Sequence, residues 1–255
     1  MEIHKSGGTR EIYHPSDSTK PLVSIIVVTL NAEAHLRNCL LSIVGQHYQN
    51  LELLIFDGGS TDSTLSIIEE FTTQITFWKS GPDKGIYDAM NMAIKQAKGD
   101  WLYFLGADDK LLPAFSDLAN KIRDKNVVYY GMCEPIGILF TGRYNSYKLS
   151  KYNMNHQALL YPKVVFNDSG YNTRFNVYAD YELNIRVWGN RAIKKKYYPF
   201  VIAEYNMNGF SSTGDDPAFK AVKSELIRQH LGWFTYLRYR YKKRRESLKP
   251  GSTFF

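Results

Sequence analysis

Residues 21–106 alternate short β-branched runs with helical patterns, and this alternation restricts the possible folds more than any other feature of the chain. PLVSIIVVTL is almost continuously apolar, as befits a strand covered on both faces of a parallel sheet. In NAEAHLRNCLLSIVG, Leu36, Leu40 and Ile43 recur at helical spacing, Asn31 can cap and Gly45 can stop the helix. LELLIF then runs into DGGSTD, and Leu65, Ile68 and Phe71 mark a second helix. Residues 74–79 read as a third strand, 86–98 as a third helix stopped by Gly99, and WLYFLG as a fourth strand. Helices between strands imply right-handed crossovers into a parallel sheet, whose ligands bind beyond the carboxyl ends of the strands. That edge collects Thr29 and Asn31, then Asp57, then Asp83 and Lys84, then Asp108 and Asp109. Beyond residue 125 the pattern loosens into VVYYG, IGILFTG, QALLY, YYPFVIAEY and a helix near 181–188. The expected class is therefore α/β, with a Rossmann-like, mostly parallel half over 21–125 and a mixed half over 126–215.

A chain of 255 residues with 44% apolar and 22% charged side chains is long and apolar enough for a sizeable core, which excludes global disorder. The longest strongly apolar stretch, 22–30, falls far short of the roughly 20 residues a membrane-spanning helix needs. Residues 1–20 are polar and lack the apolar segment of a secretory signal, so they read as an N-terminal extension and the expected compartment is the cytoplasm. Cys39 and Cys133 have no CxxC or metal-finger spacing and read as small core residues.

The first strand is followed by TLNAEAHL, which has no glycine, and no GxxxxGK[ST] occurs, so neither a dinucleotide fingerprint nor a P-loop is present. DGGSTD is either a turn with a helix cap or a carboxylate, Asp57, placed to accept the N3–H of a uracil or thymine. Asp108 and Asp109 are either a solvated turn or a paired-carboxylate site relieved by a divalent cation that also holds a diphosphate. Lys84 precedes a helix whose N-terminus favours an anion, and Asp88 lies on the polar face of that helix. Asp180 in VYADYELNIRVWG is either a cap or a general base for a hydroxyl, with Glu182 in reserve. His156, in NHQALLYP, reads as an ordinary histidine or a site residue.

VSIIVVTLNAEAHLRNCLLSI, FDGGSTDSTLSII, GPDKGIYDAMNMAI and GDWLYFLGADD, in that order, resemble the family 2 glycosyltransferases of GT-A fold. HQALLYPKVVF, ADYELNIRVW and EYNMNGFSST are similar to the second half of the branch that builds bacterial capsules, exopolysaccharides and lipopolysaccharide, so the likeness covers residues 21–213. The resemblance implies an inverting hexosyltransferase. Thr29, Asn31 and Asp57 would hold the nucleoside of a nucleotide-sugar donor, UDP foremost, with Asp83 and Lys84 beside them. Asp108 and Asp109 would fall in the metal-binding DxD region for Mg²⁺ or Mn²⁺, and Asp180 at the catalytic base. His156, Gln157 and Asp88 would serve the acceptor, a glycan or a glycan on polyprenyl diphosphate. The chain departs from the family pattern at Gly58 and Gly106, where relatives carry acids, and at Ala179 before the base.

Residues 228–249 hold eight Lys or Arg and one acid, which accounts for the whole formal charge of +7. With Leu231, Phe234, Leu237 and Tyr241 at helical spacing, the segment 216–255 reads as a basic, aromatic helical tail. A solvated end, an anionic membrane surface and a single-stranded nucleic acid all suit it; the resemblance favours docking at the inner face of the cytoplasmic membrane, and no nucleic-acid partner is expected. The alternatives to an enzyme are a catalytically silent nucleotide- or glycan-binding protein of the same fold and, behind it, a nucleic-acid-binding protein.

Overall fold

The computed structural model describes residues 5–10, 19–134, 142–206, 214–249 and 254. The expected alternation is present as β2 (Val23–Thr29), α1 (Leu36–Val44), β3 (Leu51–Asp57), α2 (Thr64–Glu70), β4 (Phe77–Ser80), α3 (Ile86–Gln96) and β5 (Trp101–Gly106). Strands β4, β3, β2 and β5 lie side by side and parallel, which brings Thr29, Asp57 and Ser80 into register at one end. β2, β3 and β5 are buried on both faces, as their unbroken apolar runs require.

The remaining strands make the sheet mixed. β6 (Lys110–Leu111), β7 (Val127–Glu134), β8 (Leu159–Pro162) and β9 (Lys194–Glu204) extend it beyond β5, with β8 antiparallel to both β5 and β7. Helices α4 (Ala114–Ala119), α5 (Ser146–Lys151) and α6 (Ala179–Gly189) complete this half. Most of the expected IGILFTG strand lies outside the described residues, as does much of EYNMNGFSST.

The two ends of the chain are tied into the fold. Part of the polar extension is in the sheet: β1 (Lys5–Gly7) pairs antiparallel with β4, and the Thr9 N–H donates to the Ile75 carbonyl. The segment 216–255 is helical over most of its described residues. It comprises α7 (Pro217–Leu231) and α8 (Trp233–Ser247), broken at Gly232, whose φ of +87° favours glycine. Phe219, Ile227 and Tyr239 from these helices are fully buried and join the core built on α3, α6 and one face of the sheet; α1, α2 and α4 cover the other face. Apolar burial at about 25 cal/mol per Å² makes α7 a structural part of the second half.

Candidate active site

A cleft of about 710 Å³ opens at the carboxyl ends of β2 and β5 and is closed on its far side by the segment before α6. Thr29, Asn31, Asp83, Lys84, Asp88, Asp108, Asp109, His156, Gln157 and Asp180 all line it. The reserve Glu182 apart, ten of the eleven residues singled out from the sequence thus meet in one cavity.

Asp57 is the exception. It is buried, and its oxygens accept the Gly59 and Ser60 N–H groups at 3.2 and 3.1 Å and the Ser80 hydroxyl at 2.6 Å, besides the Ser60 hydroxyl. Its carboxylate organises the DGGSTD turn instead of facing the cleft. Asn31 supports the same turn from the neighbouring strand: its Oδ1 accepts the Thr61 N–H at 2.9 Å, and its N–H donates to Ser60 Oγ at 2.8 Å. Asn31 holds φ at +50°, a conformation asparagine tolerates better than most residues.

The two acids after β5 divide into different roles. Asp109 is buried and fully engaged, accepting the Gly106 N–H at 3.0 Å, the Gln157 amide at 2.6 Å and the Asn206 N–H at 2.9 Å. Burial pushes its carboxyl above the ordinary range, and the donors from Asn206 and Gln157 offset only part of that shift. Asp108 is half-buried, lines the cleft and makes no hydrogen bond or ion pair among the described residues. No group of three or more His, Cys, Asp or Glu set for a cation occurs among the described residues. One open carboxylate beside a phosphate-sized space still fits Mg²⁺ or Mn²⁺, hard cations that commonly bind through one or two carboxylates plus diphosphate oxygens and water.

Asp180 lies in the first turn of α6 and is 7% exposed. Asn153 donates to its Oδ2 at 2.9 Å, and Asn184 in turn donates to Asn153 Oδ1 at 3.0 Å. The Tyr87 hydroxyl lies 2.7 Å from the Val177 carbonyl and 3.3 Å from Asp180 Oδ1. Burial and the Asp180 charge raise the Tyr87 pKa well above its usual value, so this phenol remains a donor. His156 Nδ1 stands 3.7 Å from Asp180 Oδ2. His156 and Gln157 begin one 3₁₀ turn (His156–Ala158), and through them adjacent residues reach Asp180 and Asp109.

Glu182, the reserve base, is ion-paired with Arg186 at 2.7 Å and does not line the cleft. The run Lys194–Lys196 starts β9 at the opposite edge of the sheet, in register with the beginning of β7, so it is remote from any diphosphate in the cleft. Cys39 and Cys133 are free and buried, as expected. Asn153, Asn184, Tyr87 and Asp216 escaped notice in the sequence. The Asp216 carboxylate caps α7 through the Phe219 N–H at 3.0 Å and also accepts the Val177 and Tyr178 N–H groups at 3.0 and 3.1 Å, which fixes the approach to Asp180. Its only sequence signal is the Asp-Pro pair that opens a helix.

A family model described as "Glycosyl transferase family 2" matches residues 24–199. The chain belongs to glycosyl transferase family 2. Across 217 residues, 78% of this chain and 82% of the relative, it is 37% identical to a "PGL/p-HBAD biosynthesis glycosyltransferase" of Mycobacterium bovis. It is 28% identical over 182 residues, 66% of this chain and 70% of the relative, to an uncharacterized glycosyltransferase of Mycobacterium tuberculosis. The fold is that of GT-A enzymes. S. aureus TarS, solved with UDP-GlcNAc, superposes with a TM-score of 0.62 at 17% identity over 82% of this chain and 71% of its own. The mannosyltransferase PcManGT from Pyrobaculum calidifontis, solved with GDP-Man and Mn²⁺, gives 0.62 at 15% identity over 93% and 79%. Family 2 membership thus accounts for a cleft whose acids gather at the strand ends.

Proposed function

We propose that this family 2 glycosyltransferase moves a hexose from a nucleoside-diphosphate sugar to a hydroxyl of a glycan acceptor, with inversion, using Asp180 as the general base. The observation that carries this reading is the single turn from which His156 approaches Asp180 while Gln157 holds Asp109, so that a polar base and a phosphate-side acid share one cleft. Solved structures of the same fold hold UDP-GlcNAc or GDP-Man, which supports a nucleotide-sugar donor.

Asp108 would hold Mg²⁺ or Mn²⁺, and Asp109, fixed on three sides, would set its orientation. When bound, the cation supplies charge neutralisation to the departing diphosphate. Lys84, exposed at the mouth of the cleft and without an ion pair among the described residues, adds positive charge on the same side, near the N-terminus of α3. On the opposite side Asp180 keeps the orientation imposed by Asn153 and takes the acceptor proton, while His156 and Asp88 border the acceptor space. In this reading Asp180 deprotonates the acceptor, whose oxygen displaces the diphosphate in a single in-line step.

The acceptor is lipid-linked in this reading, because α8 carries a surface suited to an anionic membrane. Trp233, Phe234, Leu237, Tyr241 and Leu248 are all exposed, Phe234 to 73%. At about 100° per residue they fall within roughly 100° of arc, opposite the buried Thr235 and Tyr239. Arg238, Arg240, Arg244 and Arg245 flank that stripe, each contributing about 1 kcal/mol near anionic lipid. Among the described residues no helix is long and apolar enough to cross a membrane, so the surface is one for lying on lipid.

A thermal-shift series with UDP, GDP and dTDP plus Mn²⁺ tests the donor site, and a rise in melting temperature is expected. No shift with any of the three would overturn the reading. Turnover that survives intact in Asp180→Asn would remove the base assignment, and a product that keeps the donor's anomeric configuration would remove inversion. Co-sedimentation with phosphatidylglycerol vesicles, lost in Phe234→Asp/Leu237→Asp, tests the membrane surface.

A further inference from the structure

α5 packs against α8, and their contact gathers cations around tyrosine rings. The guanidinium carbon of Arg238 lies 3.9 Å from the centroid of the Tyr147 ring. Lys151 Nζ lies 4.5 Å from the same centroid and 5.2 Å from that of Tyr152. The two charges therefore stand within one screening length of each other, about 10 Å in 0.1 M salt. Lys242 follows Arg238 by one turn of α8. Burial, and then repulsion from Lys242 and Arg238, lower the Lys151 pKa; burial and Lys151 do the same to Lys148, one turn back along α5. Lys242 is ion-paired with Glu246 at 2.6 Å, and Glu246 is shared with Lys249 at 2.9 Å. Lys151 and Arg238 have no ion pair among the described residues. An anion seated between them would relieve the repulsion, and a planar guanidinium beside an ammonium suits the oxygens of a phosphate.

The surroundings of the cluster say what carries that phosphate. Arg238 also lies 5.7 Å from the ring of Phe234, which is exposed together with Leu237 and Tyr241. At about 100° per residue, Arg238 and Lys242 occupy the shoulder of α8 between this apolar stripe and the buried Thr235. A soluble anion needs no apolar surface beside it, whereas a phospholipid does: its chains cover the stripe while its phosphate meets cations at the shoulder. We infer that Lys151, Arg238 and Lys242 form a headgroup site for an anionic phospholipid carrying two phosphates, with its acyl chains against Phe234, Leu237 and Tyr241. This rests on the membrane reading above and goes beyond it, because it assigns a defined site and brings in a residue from outside the basic tail. The number of phosphates follows from the charge. Three cations against one shared acid leave an excess of two, which a singly charged headgroup only half offsets.

Co-sedimentation of the full chain separates a defined site from a diffuse charge effect. Phosphatidylcholine vesicles are doped with cardiolipin or with twice the molar amount of phosphatidylglycerol, so that both surfaces carry the same phosphate density. Diffuse attraction predicts equal binding; the site predicts a preference for cardiolipin of about fivefold or more. Lys151→Gln/Arg238→Gln should erase that preference, and Lys151→Arg, which keeps the charge, should retain it. Arg240→Gln/Arg244→Gln, an equal loss of charge toward the other edge of the stripe, should weaken binding to both surfaces alike and leave the ratio standing. Equal binding of the wild-type protein to the two surfaces overturns the inference alone. So does a preference that survives Lys151→Gln/Arg238→Gln or is lost equally in Arg240→Gln/Arg244→Gln. Tighter binding of a single-stranded oligonucleotide than of either vesicle, lost in Lys151→Gln/Arg238→Gln, would assign the cluster to nucleic acid and likewise overturn it. Failure to bind either vesicle overturns the membrane reading and this inference together.

Discussion

At the strand-end side of the molecule, which the proposed reading gives to the donor, Asp57 ends β3 while Asp83 and Asp108 follow β4 and β5 by a few residues, whereas Asp180, on the side the same reading gives to the acceptor, sits on a helix and is held by side chains from distant segments. The strand ends deliver the first three through backbone geometry, since β2, β3, β4 and β5 pair in parallel with their carboxyl ends together. Asp180 needs Tyr87 from α3, Asn153 from the loop before β8 and, through the Val177 and Tyr178 backbone, Asp216 from α7. One side is a consequence of topology and the other of tertiary hydrogen bonds. The two should therefore fail differently when disturbed.

The largest effect is expected from Asp180→Asn, which removes the proposed base and preserves its shape. General bases contribute roughly 10² to 10⁴ in rate. Single-turnover assays should show a loss of about 10³ in transfer rate, with nucleotide affinity within a factor of two of wild type. Comparable losses in both would mean that the two sides of the cleft are not separable. Asp216→Ala comes next. It strips a charged acceptor from three N–H groups, each such bond contributing about 1.5 to 3 kcal/mol before partial replacement by water. Steady-state kinetics should show kcat reduced about tenfold or more with the donor KM nearly unchanged, because the loosened segment carries Asp180 and not the nucleotide site. Asp57→Ala should do the converse: about a tenfold rise in donor KM from a loosened DGGSTD turn, and a much smaller change in kcat. The crossed pattern of these two variants is the sharpest test of the comparison, and parallel changes would refute it.

The same contrast explains which features could be read before any coordinates. β2 to β5 and their helices follow from β-branched runs, periodic apolar positions and glycine stops, all local signals, and the strand-end rule then places Thr29, Asp83 and Asp108 in the cleft. Asp57 was placed at the correct strand end, but nothing local distinguishes a carboxylate that faces a ligand from one that closes its own turn. Asp109 shows the same limit, since its saturation depends on Gln157 and Asn206, which lie 48 and 97 residues away. In the second half the residues alone left Asp180 as either a helix cap or a general base, and only the family resemblance chose between the two. Asn153 and Asp216 carry no motif, because a side chain that positions another is defined by contact and not by spacing. The helical character of the tail was legible, but its charge pattern describes the exposed side of α8 and gives no hint of the burial of Phe219, Ile227 and Tyr239.

The smallest expected effect concerns stability and again belongs to the acceptor side. Lys223 of α7 is buried, with its Nζ 4.7 Å from the ring of Tyr181, the residue after Asp180, and 5.4 Å from that of Tyr239 in α8. Burial, reinforced by Lys243, lowers its pKa from the ordinary 10.5 to about 7. Between those values the unfolded chain binds the proton and the folded chain releases it. Stability from this group is therefore complete above about pH 10.5 and is lost as pH falls towards 7. Urea midpoints should rise from pH 7 to pH 9.5, and Lys223→Met should flatten that rise while stabilising the protein at pH 7 by about 1 kcal/mol. Hydrogen exchange should assign the pH-dependent protection to α6, α7 and α8 and leave β2 to β5 unaffected, because no comparable buried amine touches the parallel strands among the described residues. A pH dependence of equal size in β2 to β5 would show that the two sides of the molecule open as one unit, which would undercut the separation the kinetic variants rely on.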